Sequence, residues 1–249
     1  MATSRYSAGL HAVERLIRSH KDKVRKLYID ERSKNPRLAA LRDLAREHGI
    51  PRQGARSHRL DDMAQGTAHQ GVVAELRHLP QLDEAGLRGQ MEASLAAGES
   101  PLLLVLDGVQ DPHNLGACLR TAEATGVSAV VVPRKGAAGI TPATRKVASG
   151  AAEVVPVVSV TSLAKTLDWL GSYGVRRIGT SDAVRDSLWD CDMTGALAIV
   201  MGTEGLGLTA EVAERCDAKI ALPMAGVVES LNVSVAAGIC LYEAVRQRR

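Results

Sequence analysis

The chain has 249 residues, 45% of them apolar and only 2% aromatic, with a formal net charge of +3. That supplies core for one large folded unit or two small ones, and no run approaches the eighteen consecutive apolar residues of a membrane span, nor do the first ten residues, MATSRYSAGL, form a leader-like stretch. Four scattered cysteines, Cys118, Cys191, Cys216 and Cys240, lack any CxxC pair, which argues against a zinc site or a disulfide framework and for a cytoplasmic protein without a metal.

In chain order, Gly9 to Arg18 reads as a helix with Leu10, Val13, Leu16 and Ile17 on one face, and Val24 to Ile29 as a short strand. A second helix carries Leu38, Leu41, Leu44 and Ala45 and stops at Gly49, before Ile50-Pro51. A further strand is expected at Gly71 to Leu76. Residues 1–78 are therefore expected to form a small α/β module, followed by a linker over 79–100, where the composition turns polar, acidic and Gly/Ala-rich. Charge divides along the same line. Residues 1–80 hold 16 Lys+Arg against 9 Asp+Glu, net +7, and residues 81–249 hold 15 against 19, net −4. A basic front piece suits a polyanion, or else its Arg-rich helices are simply solvated. Phe is absent, so an RNA partner would be held by backbone and shape contacts rather than on stacked rings.

From residue 101 to 249 strand and helix alternate. LLLVLDGV, SAVVVP, VVPVVSV, VRRIGT, ALAIVMG and KIALP read as strands, and Val233 to Arg246 as the last helix. Continuous β-branched runs indicate strands covered on both faces, hence an α/β domain with a parallel sheet. The apolar positions of the last helix, Val233, Ala236, Ala237, Cys240, Leu241 and Ala244, suit either core or an interface.

Three strand-end turns carry polar residues. In VLDGVQDPHNLG a strand runs into Asp111-Pro112-His113-Asn114, a turn by its chemistry. Asn114 reads either as a helix cap or as a site residue, and Arg120 lies six residues on, roughly 9 Å along a helix. Arg side chains lean toward the helix N-terminus, so a guanidinium and an amide would share one helix mouth. His113 is set aside as an ordinary turn residue. In IVMGTEGLGL, glycines let a ligand approach the main chain around Glu204. This loop is neither a GxGxxG nor a P-loop signature, which disfavours a nicotinamide-dependent dehydrogenase. In ALPMAGVVESLNVSVAA, Ser230 and Asn232 are two apart, so both can serve one site only if the helix starts around them.

DPHNLGACLRTAEATG, IVMGTEGLGL and IALPMAGVVESLNVSVAAGICLYEAVRQR closely resemble the three motifs of the SpoU branch of the SPOUT RNA 2′-O-methyltransferases, across about residues 101–248. The front module, with GLHAVERLI and HQGVVAEL, is similar to the RNA-binding domain of the bacterial 23S rRNA guanosine 2′-O-methyltransferase subgroup, a small α/β fold akin to RNA-binding ribosomal proteins. The resemblance implies a C-terminal sheet tied in a deep trefoil knot, S-adenosylmethionine as methyl donor without a metal, and a homodimer. It implies cofactor contacts at Gly179, Thr180, Met201, Gly202, Gly205, Ile220, Leu222, Met224, Leu231 and Asn232. It places Asn114, Arg120, Glu204, Ser230 and Asn232 around the acceptor ribose, with Arg120 removing or stabilising the 2′-hydroxyl proton. A guanidinium stays protonated, so stabilising the developing alkoxide suits it better than acting as a base. Many relatives have a basic residue where this chain has Thr209. The expected substrate is 23S rRNA; alternatives are a tRNA guanosine or a resistance-type rRNA methyltransferase, and, more distantly, a non-catalytic RNA-binding protein.

Overall fold

Strands form here where β-branched residues cluster between turn signals, and helices where apolar residues recur every three or four positions. In a computed structural model of the protein, residues 6–33, 35–64, 66, 68–76 and 82–249 are described. The chain divides into two units, Met1–Pro80 and Gln81–Arg249.

In the first unit, β1 (Tyr6–Ala8), α1 (Leu10–His20), β2 (Val24–Asp30), α2 (Pro36–Glu47), β3 (Arg52–Ala55), α3 (Ser57–Ala64) and β4 (Val72–Leu76) follow in order. The sheet runs β1-β4-β2-β3, with β2 parallel to β3 and antiparallel to β4. α2 starts where Asn35 accepts the Arg37 amide at 3.0 Å and Pro36 sits at its first position. Leu38, Leu41, Leu44 and Ala45 are its buried face. β1, β3 and α3 have no strong sequence signal; β3, RQGA, exists because the edge of β2 offers it a parallel ladder.

In the second unit, α4 (Glu84–Ala96), β5 (Leu102–Leu106), α5 (Pro112–Ala124), β6 (Ala129–Pro133), α6 (Pro142–Ala148), β7 (Val157–Val160) and α7 (Leu163–Ser172) lead to β8 (Arg176–Thr180), β9 (Leu197–Met201), α8 (Ala210–Ala213), β10 (Ala218–Ile220) and α9 (Val233–Gln247). All six strands pair in parallel, in the order β10-β8-β9-β5-β6-β7. β5 and β9 are buried along their whole length. The chain leaves β9, passes beyond β8 to form β10, and returns with α9 against α5 and β9.

The stretch expected as a linker is corrected by this structure. Its residues 79–81 lie outside the described residues, but 84–96 form α4, started by the Asp83 carboxylate accepting the Gly86 amide at 2.8 Å. Leu87 and Met91, one helical turn apart, are fully buried with Leu103, Val105 and Trp169. An Ala/Gly-rich composition hid a helix that needs only two apolar anchors to dock. The apolar positions of α9 are likewise core: Val233, Ala236, Ala237, Cys240, Leu241 and Ala244 are all buried within the unit. Among the described residues no helix is long and apolar enough to cross a membrane.

Candidate functional site at the strand ends

Helix α5 is capped by Asp111, whose carboxylate accepts the His113 amide at 2.9 Å, with Pro112 first in the helix. Asn114 therefore lies inside the first turn, relieved of capping duty. After β9 the chain doubles back tightly: Thr203 and Gly207 exchange both backbone hydrogen bonds, at 3.0 and 2.9 Å. A Cβ on Gly202 would strike the Gly207 backbone, so only glycine allows this closure. Glu204 sits at the tip of that loop. The base is held from β5: the buried Asp107 carboxylate accepts both the backbone amide and the hydroxyl of Thr209, each at 2.8 Å.

Helix α9 begins at Asn232, whose Oδ1 accepts the Ser234 amide at 3.0 Å. The same side chain reaches the other two loops. Its Nδ2 donates to Glu204 Oε1 at 2.6 Å and to Asn114 Oδ1 at 2.9 Å. Glu204 Oε1 also accepts the Val233 amide at 3.1 Å and, more weakly, Asn114 Nδ2 at 3.4 Å. Three side chains thus form one closed network, in which a carboxylate with three donors is fixed in direction.

Beside this network lies a pocket walled by the loops after β8, β9 and β10. Thr180, Ser181 and Asp182 come from the first, Met201 to Gly205 and Gly207 from the second, and Ile220, Leu222, Met224, Glu229, Ser230 and Leu231 from the third; Val233 and Ala236 of α9 close it. Eight of the expected cofactor residues line it: Thr180, Met201, Gly202, Gly205, Ile220, Leu222, Met224 and Leu231. Gly179 does not; it lies one residue back in β8, where a Cβ would meet Leu208 at 2.7 Å and Cys216 at 2.9 Å. Asn232 belongs to the polar network rather than the wall. Three acidic residues, Asp182, Glu204 and Glu229, line this pocket, and among the described residues no Lys, Arg or His does.

The structure joins Asn114, Glu204 and Asn232 and does not join the other two expected ribose-side residues to them. Ser230 is on the pocket wall, and Arg120 projects from α5 into solvent; among the described residues neither side chain has a hydrogen-bond partner. Asp182, Glu229 and Asp107 escaped the sequence reading. Asp182 stands two residues past the end of the VRRIGT strand, a position that the sequence shows. Among the described residues there is no group of three or more His, Cys, Asp or Glu able to hold a metal.

A six-stranded parallel sheet with three strand-end loops around one pocket, and an amide–carboxylate network beside it, is the architecture of a SPOUT-type RNA methyltransferase. Residues 101–242 match the SpoU rRNA Methylase family, and residues 8–82 match the RNA 2′-O ribose methyltransferase substrate binding domain. The protein belongs to the SpoU family. A 23S rRNA (guanosine-2′-O-)-methyltransferase RlmB of Pseudomonas putida is 47% identical over 241 residues, 97% of this chain and 96% of that one. The SpoU methyltransferase AviRb of Streptomyces viridochromogenes, solved with the cofactor AdoMet, superposes with a TM-score of 0.71 at 25% identity, covering 97% of this chain and 89% of that chain. A TrmH/SpoU tRNA modifying enzyme of A. aeolicus matches with a TM-score of 0.55 at 30% identity, over 65% of this chain and 83% of that chain.

Proposed function

We propose that the protein transfers a methyl group from S-adenosylmethionine to the ribose 2′-hydroxyl of a guanosine in 23S rRNA. The observation that carries this is the Asn114–Glu204–Asn232 network set against a pocket lined by carboxylates and glycine loops. The donor brings a methyl group on a positively charged sulfur. Asp182 and Glu229 suit that charge, and Met201, Ile220, Leu222 and Met224 offer the apolar wall an adenine needs. Asn114 and Asn232, immobilised by Glu204, present amide groups to the ribose and hold its 2′-oxygen in line, so that positioning supplies much of the rate. Arg120 supplies a permanent cation for the developing alkoxide.

In this reading residues 1–78 bind RNA and residues 101–249 are the methyltransferase, with the C-terminal chain threaded as the family's trefoil knot. The excursion from β9 past β8 to β10 and back to α9 supports that path. The active form is a cytoplasmic homodimer; Val235 and Tyr242, two turns apart on α9, are about half exposed and suit a contact between copies. Ribosomal RNA is favoured over tRNA because the RlmB relative matches both units, whereas the tRNA enzyme covers only 65% of the chain.

The test is transfer of labelled methyl from S-adenosylmethionine to protein-free 23S rRNA, mapped by primer extension at low nucleotide concentration. A single modified guanosine is expected. Transfer to tRNA alone would overturn the choice of RNA, and binding of donor and RNA without transfer would overturn catalysis.

A further inference from the structure

We propose that Arg134 and Lys135, in the loop after β6, clamp backbone phosphates of the RNA beside the acceptor nucleotide; this rests on the reading of RNA as the substrate. β5 and β6 pair in parallel with Val105 opposite Val131, so the turn after Leu106 and the loop after Pro133 emerge side by side at the edge that carries the site. The Ala138 amide donates to the Val109 carbonyl at 2.8 Å and stitches this loop to the turn that leads to Asn114. The Arg134 amide donates to Val160 at 2.8 Å, so the root of the loop is anchored on its other flank. Both side chains are exposed, and among the described residues neither has a hydrogen-bond or ion-pair partner. Lys146, also exposed and unpartnered, stands on α6, which packs on α5 so closely that Gly116 faces Thr144 and Val147.

Three carboxylates of the flanking segments are committed elsewhere. Asp107 is buried on Thr209, Asp111 caps α5, and Glu153 pairs with Arg145. A pair of unpartnered basic side chains therefore stands on the rim beside Asn114, in a unit whose own net charge is −4 from 15 basic and 19 acidic residues. A phosphodiester fits such a rim, and in a chain with so few aromatics, phosphate contacts are the means left for registering a strand on the catalytic unit. The front unit then brings affinity, and Arg134 and Lys135 bring register at the reacting ribose.

The experiment compares the full-length protein with Arg134→Ala/Lys135→Ala and with a charge-loss control, Lys219→Ala on edge strand β10, across a salt series with a 23S rRNA fragment. Each phosphate contact contributes about 0.7–0.9 to the slope of log affinity against log salt, so the double variant should lose roughly 1.4–1.8. Its KM for RNA should rise several-fold while kcat and donor affinity stay unchanged, and Lys219→Ala should keep the full slope. The variant Arg134→Glu/Lys135→Glu should lose more still. An unchanged slope, an equal loss in the control, a fall in donor affinity, or no salt-dependent RNA binding by the unaltered protein would each overturn the proposal. Slopes that differ as expected with no methyl reaching 23S rRNA would leave this clamp standing and remove the proposed acceptor.

Discussion

Replacing Thr209 by Val removes one hydrogen bond from the base of the Glu204 loop. Asp107 is 6% exposed and its Oδ2 accepts two bonds of 2.8 Å, both from Thr209. Valine keeps the amide donor and the shape and deletes the hydroxyl. A hydrogen bond to a charged group contributes about 1.5–3 kcal/mol, and because Thr209 itself is exposed, water can reach the gap, so the lower part of that range, roughly 1.5–2 kcal/mol, applies. For a unit of this size each kcal/mol moves the midpoint by about 2–4 °C, giving a fall of roughly 3–8 °C. Differential scanning calorimetry of the unaltered protein, Thr209→Val and Thr209→Ser would measure it. Serine restores the hydroxyl and should restore most of the midpoint. A drop of under about 1 °C for valine, or an equal drop for serine, would refute the view that this hydroxyl holds the loop.

Arg120→Ala should abolish methyl transfer and leave donor binding intact by calorimetric titration, because Arg120 bonds to nothing in the pocket wall; turnover within a few-fold would remove its role. Gly202→Ala should abolish donor binding, since the new methyl would overlap the Gly207 backbone, and retained binding by titration would show that the loop opens cheaply. Hydrogen bonds from Arg246 and Gln247 hold the Glu243 carboxyl down at about 2, from an ordinary 4.5. Its stabilisation is whole above about pH 4.5 and drains away as the pH falls toward 2, so Glu243→Gln should flatten acid unfolding in that window and leave it unchanged if the bonds are idle. Burial pushes the Cys118 and Cys240 thiols up to about 12, so neither should react with a disulfide reagent at neutral pH until the protein unfolds; rapid native labelling of either, read by mass spectrometry, would contradict their burial.

The six parallel strands were legible because their β-branched runs are bounded by turn chemistry, and Asn114, Glu204 and Asn232 could be singled out because each stands in the polar stretch that follows such a run. What spacing could not tell was which residue caps and which is spare. Asp111 takes the cap of α5 and frees Asn114, whereas Asn232 caps α9 and reaches Glu204 at the same time. Asp107 lay in plain view within VLDGVQDPHNLG, but its partner is 102 residues away, and no local pattern announces a contact of that range. Helix α4 was missed for the opposite reason: its signal is local but sparse, an Asp cap and two apolar residues one turn apart. Arg120 stands apart from the others in the structure, which a shared motif had obscured.

Asn232 joins the start of the last helix to two loops made much earlier, the first of them 118 residues upstream. During synthesis, β5, α5 and the Glu204 loop are all made before the residue that locks them together exists. A nascent chain halted short of Asn232 has the strands and the glycines but not the network. Near-completion of the polypeptide is thereby a built-in condition for closing the network.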